Sequence, residues 1–391
     1  MTPGEAQAWL DSSYGRRPPL PPVCQRVLDH ARGERWGAVR LLTERVIKRR
    51  DPADPIVRWC WQRHVGAAAS IIELRGRDPM LQAELFDLWD GFRPRGGDVS
   101  TAGLEADMLE LFGRYEDAIR VRSAVDPLGR SQRTRRANAI ASAAAASKGT
   151  FPHVLVVGAQ KAGTTTLHAV LSSLPRVMGP VRREMHYLDR TLSFAKGHGW
   201  YRAAFAQAVG GEVVFEKTPS YLSSPVAPLR AMSLPEDARF VVILRHPVDR
   251  AYSAFRMIRG KGKWKAGVGF GEALERDREA IGVLEADGDG PRGNSTMYGR
   301  GLYGRQLRRW FEAVGRERVY VASFESLFVR GEAEAIGALA EFIGVELPEA
   351  GWPHERRGGG EGLDESARAE LMRLFATSDA EVEALLGYRP Y

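Results

Sequence analysis

The sequence predicts an α/β fold, a parallel sheet flanked by helices, preceded by an all-helical amino-terminal domain. Three observations lead there. From Val154 onward, short apolar runs alternate with helical stretches: "HVLVVGA", "EVVFEK", "RFVVILR" and "RVYVASFE". Continuous runs of this kind read as strands buried on both faces, the habit of parallel sheets. Before that point almost nothing reads as strand, and apolar residues recur at three and four spacing in "VCQRVLDHA", "WGAVRLLTERVI", "LQAELFDLWDGF", "GLEADMLELFGRYEDAIRVRSAV" and "RRANAIASAAAA". Between the two patterns, "LGRSQRTRRANAIASAAAASKGTFP" turns basic, then rich in alanine and serine, and closes on Gly149 and a proline. The boundary is set there, with a helical domain over residues 1–149 and the α/β domain over 150–391.

Within the helical part, Arg32 to Pro52 and Leu111 to Pro127 share a Gly, an aromatic residue, an Ala and a closing proline. The pattern is similar to half of a tetratricopeptide-type repeat; a plain bundle whose helices stop at proline explains it as well. This part is open to a carrier protein or a second copy of the chain as partner. Net charge is +7, from 56 basic and 49 acidic residues. The arginines are spread along the chain instead of forming a block, which argues against nucleic acid and suits a small anionic ligand. Cys24 and Cys60 have no metal-like spacing and read as small buried side chains. The amino terminus lacks a basic stretch followed by an apolar one, and no run reaches the roughly 18 apolar residues of a membrane span. The expectation is a cytoplasmic protein.

In "VLVVGAQKAGTTTLHAVL", a strand meets a glycine-rich turn and a helix. Gly158 is expected to let the chain turn sharply, and Gly163 to let it approach a ligand closely. A helix starting near Thr164 directs free amides and the positive end of its dipole at that point, so an anion is the expected guest. Lys161, Ala162 and Gly163 form the loop, and Thr164, Thr165 and Thr166 bring hydroxyls to the first turn. A nucleotide triphosphatase loop reads GxxxxGK[ST]; here Thr164 stands where that lysine belongs, and Lys161 lies inside the loop. An ATP- and magnesium-dependent P-loop phosphotransferase is the alternative that this departure disfavours.

"GAQKAGTTTL" resembles the 5'-phosphosulfate-binding loop of the sulfotransferases that use 3'-phosphoadenosine 5'-phosphosulfate (PAPS), particularly the branch that includes the heparan-sulfate enzymes. The resemblance covers about residues 152 to 390 and implies a P-loop-like parallel sheet, PAPS as donor and no metal. In "RFVVILRHPVDRAYSAFRMI", Arg245 follows a strand and Ser253 lies eight residues on in a helix. The resemblance gives these two the 3'-phosphate of the nucleotide, a role suited to an arginine fork and a hydroxyl. Asp249 reads as a helix cap or the partner of a basic neighbour. More loosely, Arg356, Arg357 and Gly358 resemble a basic glycine loop closing over the nucleotide.

Sulfuryl transfer to a hydroxyl needs a base for the acceptor's proton, alignment, and stabilisation of the charge that develops on the leaving phosphate oxygen. "RREMHYLDR" offers Glu184 and His186, and "FEKTPSYL" offers Lys217. Spacing alone does not separate Glu184 from His186 as the base. The resemblance favours Glu184, with Lys161 on the bridging oxygen and Lys217 orienting the sulfuryl oxygens or the base. A carbohydrate, glycosylated or natural-product hydroxyl is the implied acceptor, with carrier-bound acyl groups and lipids as alternatives. The run "GKGKWK", Gly260 to Lys265, reads as an acceptor-side loop or a merely solvated one.

Overall fold

A computed structural model describes residues 69, 72, 99–208, 210, 212–262, 267–286, 297–348, 352 and 363–391. Cys24, Cys60, most of the "GKGKWK" run, the repeat-like Arg32–Pro52 segment and the Arg356, Arg357, Gly358 loop lie outside the described residues. The described part begins with helices α1 (Val99–Leu111), α2 (Tyr115–Val125) and α3 (Gln132–Ala145). Ser131 caps α3 by accepting from the amide of Thr134. Strand β1 (Val154–Gly158), helix α4 (Thr164–Ser173) and strand β2 (Val177–Met178) follow, then short helices α5 (Thr191–Ala195) and α6 (Gly197–Ala203). Next come β3 (Val213–Lys217), α7 (Ala227–Ala231), β4 (Arg239–Leu244), α8 (Pro247–Gly260) and α9 (Phe270–Ala286). Helix α10 (Tyr303–Val314), β5 (Val319–Ser323), α11 (Ala333–Ile343) and α12 (Glu365–Leu386) complete the chain.

These elements form two compact units. One takes the chain to Lys148 together with Thr191–Ala203; the other takes Gly149–Arg190 and Ala204–Tyr391. In the first unit the inserted α5–α6 segment is tied by a buried charge cluster. Lys196 donates to Asp107 and Glu110 at 2.6 Å each, and Glu110 also meets Arg122 at 2.6 Å. Such a cluster holds only while complete, because removing one partner strands a buried charge.

The second unit carries a parallel five-stranded sheet in the order β2-β3-β1-β4-β5. The four apolar runs of the sequence are its four longer strands. β2 escaped notice because two half-buried residues give no periodicity to read. All of β1 and Phe240–Leu244 of β4 are buried, as strands covered on both faces must be. On α10, Tyr303, Gln306, Leu307, Trp310 and Val314 form the buried stripe, and Trp310 packs on Phe240 with ring centroids 5.1 Å apart.

The chain leaves β1 toward β2 and β3, then crosses to β4 and β5 on the other side. Loops after β1 and β4 therefore diverge at the carboxyl edge, where open α/β sheets hold their ligands. Among the described residues, no helix is long and apolar enough to cross a membrane.

Candidate active site

The loop after β1 is shaped by protein packing as much as by any guest. Gly163 has φ 83°, and a Cβ there would fall 2.4 Å from the ring of Phe328. At Gly158 an added Cβ would lie 2.5 Å from that of Leu222. At Gly163 the room a Cβ would need is taken by an aromatic ring, and at Gly158, where β1 ends, it is taken by Leu222. Lys161, a non-glycine residue, is held at φ 74°, a strained choice of the kind found at functional sites. Ala162 is buried, Thr164 is buried, Thr165 is exposed and Thr166 half-buried. Helix α4 has no acidic residue in its first turn and no side-chain cap, which leaves its positive end to an outside anion.

Arg245 emerges from β4 and donates through Nη1 to the carbonyl of Lys161 at 3.3 Å, joining the two diverging loops. Its guanidinium carbon lies 4.6 Å from the ring centroid of Phe324. Tyr303 donates its hydroxyl to the Arg245 carbonyl at 3.0 Å, so strand end and α10 hold the arginine from behind. Ser253 sits half-buried in α8. Asp249 pairs with Arg368 at 2.5 Å, the basic partner that its place in the first turn of α8 allowed.

The third segment brings together more than the sequence suggested. Lys217, buried at the end of β3, donates to Glu184 Oε1 at 2.6 Å. His186 Nε2 lies 3.5 Å from Glu184 Oε2, and its Nδ1 meets Asp189 at 3.1 Å. Asp189 also accepts from Ser220. The chain Lys217, Glu184, His186, Asp189, Ser220 is continuous, and His186 sits in it with φ 52°, a second non-glycine residue in the left-handed region.

Charge follows from that chain. The hydrogen bond from His186, against the opposing effect of burial and helped by Lys217, lowers the Glu184 carboxyl to about 2. Burial alone would lower His186, but hydrogen bonds to Asp189 and Glu184 outweigh it and raise the imidazole above its ordinary value. Nearby His168 moves the other way, down to about 4, through burial and the charge of Lys217. At neutral pH the cluster therefore holds an ionised glutamate that accepts from Lys217 and stands beside an imidazole whose proton affinity is raised.

Asp189 was missed although it stands in "RREMHYLDR"; its three-residue offset from His186 was the available signal. Glu216 was missed too, and a charge inside the buried strand "VVFEK" was its signal. It is fully buried and accepts from Thr218 Oγ1 at 2.6 Å and Tyr221 Oη at 2.7 Å. Thr218 Oγ1 in turn takes the amides of Met185 and His186 at 3.2 and 3.4 Å, and Tyr221 Oη takes that of Tyr187 at 2.7 Å. Glu216 thus positions the backbone that carries Glu184 and His186. Glu216→Ala is expected to cost about 3 kcal/mol of stability by leaving buried hydroxyls without their acceptor. It should also lower kcat with little change in nucleotide affinity, with Glu216→Gln restoring part of both; thermal melts and steady-state rates check this.

A family model described as the sulfotransferase domain matches residues 151–356. Heparan sulfate glucosamine 3-O-sulfotransferase 3B1 of Homo sapiens is 27% identical over 196 residues, covering 50% of this chain and 47% of that one. Heparan sulfate glucosamine 3-O-sulfotransferase 6 of Homo sapiens is 30% identical over 202 residues, covering 50% and 53%. The chain thus spans about half the length of the curated relatives it matches. A solved sulfotransferase from Alicyclobacillus acidocaldarius superposes with a TM-score of 0.50 at 28% identity, over 61% of this chain and 96% of that one. With the glycine loop after β1, Arg245 and the Glu184–Lys217 pair all inside the matched span, the chain belongs to the sulfotransferase domain family.

Proposed function

We propose that this chain transfers a sulfuryl group from PAPS to the hydroxyl of a carbohydrate or glycosylated natural product, with Glu184 as general base. The observation that carries the reading is the Glu184–Lys217 pair at the carboxyl end of β3, beside the end of β1 from which the phosphate loop springs. The donor fits the residues present. Helix α4 starts without an acidic residue in its first turn, and among the described residues Arg245 is engaged by a carbonyl and an aromatic face but by no carboxylate in an ion pair. The loop amides and Lys161 would hold its 5' side, Arg245 and Ser253 its 3'-phosphate, and Arg356 and Arg357 would close over it. When bound, it supplies an activated sulfuryl whose bond to the phosphate oxygen breaks as the acceptor oxygen binds sulfur.

The protein's own part is to hold and move one proton. Glu184, an anion at any working pH, takes the hydroxyl proton of the acceptor on its carboxylate. A carboxyl near 2 is a weak base, and Lys217 is the control. Shared between Glu184 and the sulfonate oxygens, this ammonium relaxes its hold on the carboxylate, whose proton affinity then rises toward what the task needs. His186, held between Glu184 and Asp189, orients the glutamate. The sugar hydroxyl named in the relatives' descriptions supports a carbohydrate acceptor; carrier-bound acyl and lipid hydroxyls are the second choice.

Chromatographic detection of adenosine 3',5'-bisphosphate formed from PAPS across carbohydrate, lipid and acyl-carrier acceptors tests the reading. Acceptor-dependent release is expected. Transfer of the terminal phosphoryl group of ATP in its place would support the phosphotransferase, which lacks its loop lysine here.

A further inference from the structure

The stretch that follows β5 lies against both loops of the candidate nucleotide site. Strands β4 and β5 stay in register to their ends, with Leu244 beside Ser323. The next residues therefore emerge side by side, Arg245 and His246 from one strand, Phe324 and Glu325 from the other. The ring of Phe324 faces the Arg245 guanidinium, and Glu325 Oε1 accepts the amide of His246 at 3.3 Å. Further along the same stretch, Phe328 fills the space beside Gly163 in the loop after β1. One short segment thus touches the arginine, the residue after it and the glycine loop.

The segment is built to keep its place. Glu325–Arg330 winds as a single π-helical turn, a form that recurs at functional sites. Ser323 Oγ accepts the amide of Ser326 at 3.1 Å, Arg330 donates to Ser326 Oγ at 2.8 Å, and the Ser326 carbonyl accepts the amide of Glu332 at 3.0 Å. Phe328 packs on Phe324 and on Trp352, with ring centroids 5.4 and 5.5 Å away. Glu325 is a costly residue for such a place. Its Oε2 is buried and, among the described residues, meets no donor, and burial raises the carboxyl above its ordinary value. An apolar side chain would sit there at lower cost, so what the acid adds is an acceptor for the His246 amide.

We propose that Glu325 is a positioning residue for the donor nucleotide: by fixing the His246 amide at the end of β4, it sets the direction in which Arg245 leaves the strand and meets the 3'-phosphate. This rests on the reading of Arg245 as the arginine of that phosphate. The carboxylate acts on the nucleotide only through Arg245, so the two side chains are coupled in binding. An acid that merely supported the fold would act whether or not Arg245 is present.

The test is a double-mutant cycle on the full chain, read by calorimetric titration with adenosine 3',5'-bisphosphate. Glu325→Ala is expected to weaken binding about 10-fold, and Glu325→Gln, which keeps an acceptor for the amide, to stay within about 3-fold of the wild type. On the Arg245→Ala background, Glu325→Ala should cost less than about 2-fold further. Unchanged affinity in Glu325→Ala overturns the proposal, as does an equal loss with and without Arg245. So does a loss in Glu325→Gln as large as that in Glu325→Ala. If Glu325→Ala does not fold, Glu325→Asp, which draws the carboxylate back by one methylene, carries the same cycle with the same outcomes. A wild type that does not bind the bisphosphate, or binds it indifferently to Arg245, sinks the donor assignment instead, so the two readings fail separately.

Discussion

Glu184→Gln is expected to lower kcat by roughly 10²- to 10⁴-fold, the usual worth of a positioned general base, while the affinity for adenosine 3',5'-bisphosphate stays nearly unchanged. The glutamine keeps the size and one hydrogen bond of the original and loses only the charge that accepts the proton. It also removes the charge opposite Lys217 and one of the two carboxylates that raise His186. Steady-state rates and a nucleotide titration on the same preparation check both halves; retained turnover would remove Glu184 from the role.

The pH dependence has a definite sign. Glu184 is depressed to about 2 by the His186 hydrogen bond and Lys217, so its contribution to stability is present above the ordinary carboxylate value and is lost as pH falls toward 2. His186 is raised, so its contribution is present below the ordinary imidazole value and is lost as pH rises past its elevated folded value. Melting temperatures followed from acid to mildly alkaline pH should therefore decline at both ends. Glu184→Gln should flatten both declines, because it removes the acid and one support of the imidazolium.

Arg245→Ala carries the second large effect. The side chain stands where loop and strand edge meet and, among the described residues, pairs with no carboxylate, which under the proposed reading leaves its guanidinium for the 3'-phosphate. Its loss should weaken adenosine 3',5'-bisphosphate binding by about 100-fold, as expected for two charge-assisted hydrogen bonds. Arg245→Lys should recover only a fraction, because a point charge does not reproduce the fork. Calorimetric titration of both variants reads this directly.

Legibility in the sequence followed the physics of each element. Strands β1, β3, β4 and β5 could be read because burial on both faces forces unbroken apolar runs. β2 could not, having only two residues and no hydrophobic demand of its own. Lys161 and Arg245 stand out in the sequence because a glycine loop and a strand end are where anion chemistry is expected. The hydrogen bond between them spans 84 residues, and no local pattern reports it. Glu216 and Asp189 act through neighbours brought in by the fold. Their sequence signals, an acid within an apolar strand and an acid three residues after a histidine, gain meaning only when burial and partners are known. The glycines show the same: Phe328 and Leu222 take the space a Cβ would need at Gly163 and Gly158, and no local pattern names those two residues.

The measurement that bears most directly on the central claim is calorimetric titration of the purified chain with adenosine 3',5'-bisphosphate, run beside ATP with magnesium. The bisphosphate should bind at a single site and lose that binding in Arg245→Ala, with ATP and magnesium binding far more weakly. Binding of ATP with magnesium alone, or bisphosphate binding indifferent to Arg245, would contradict the assignment of the site to a PAPS-dependent sulfotransferase.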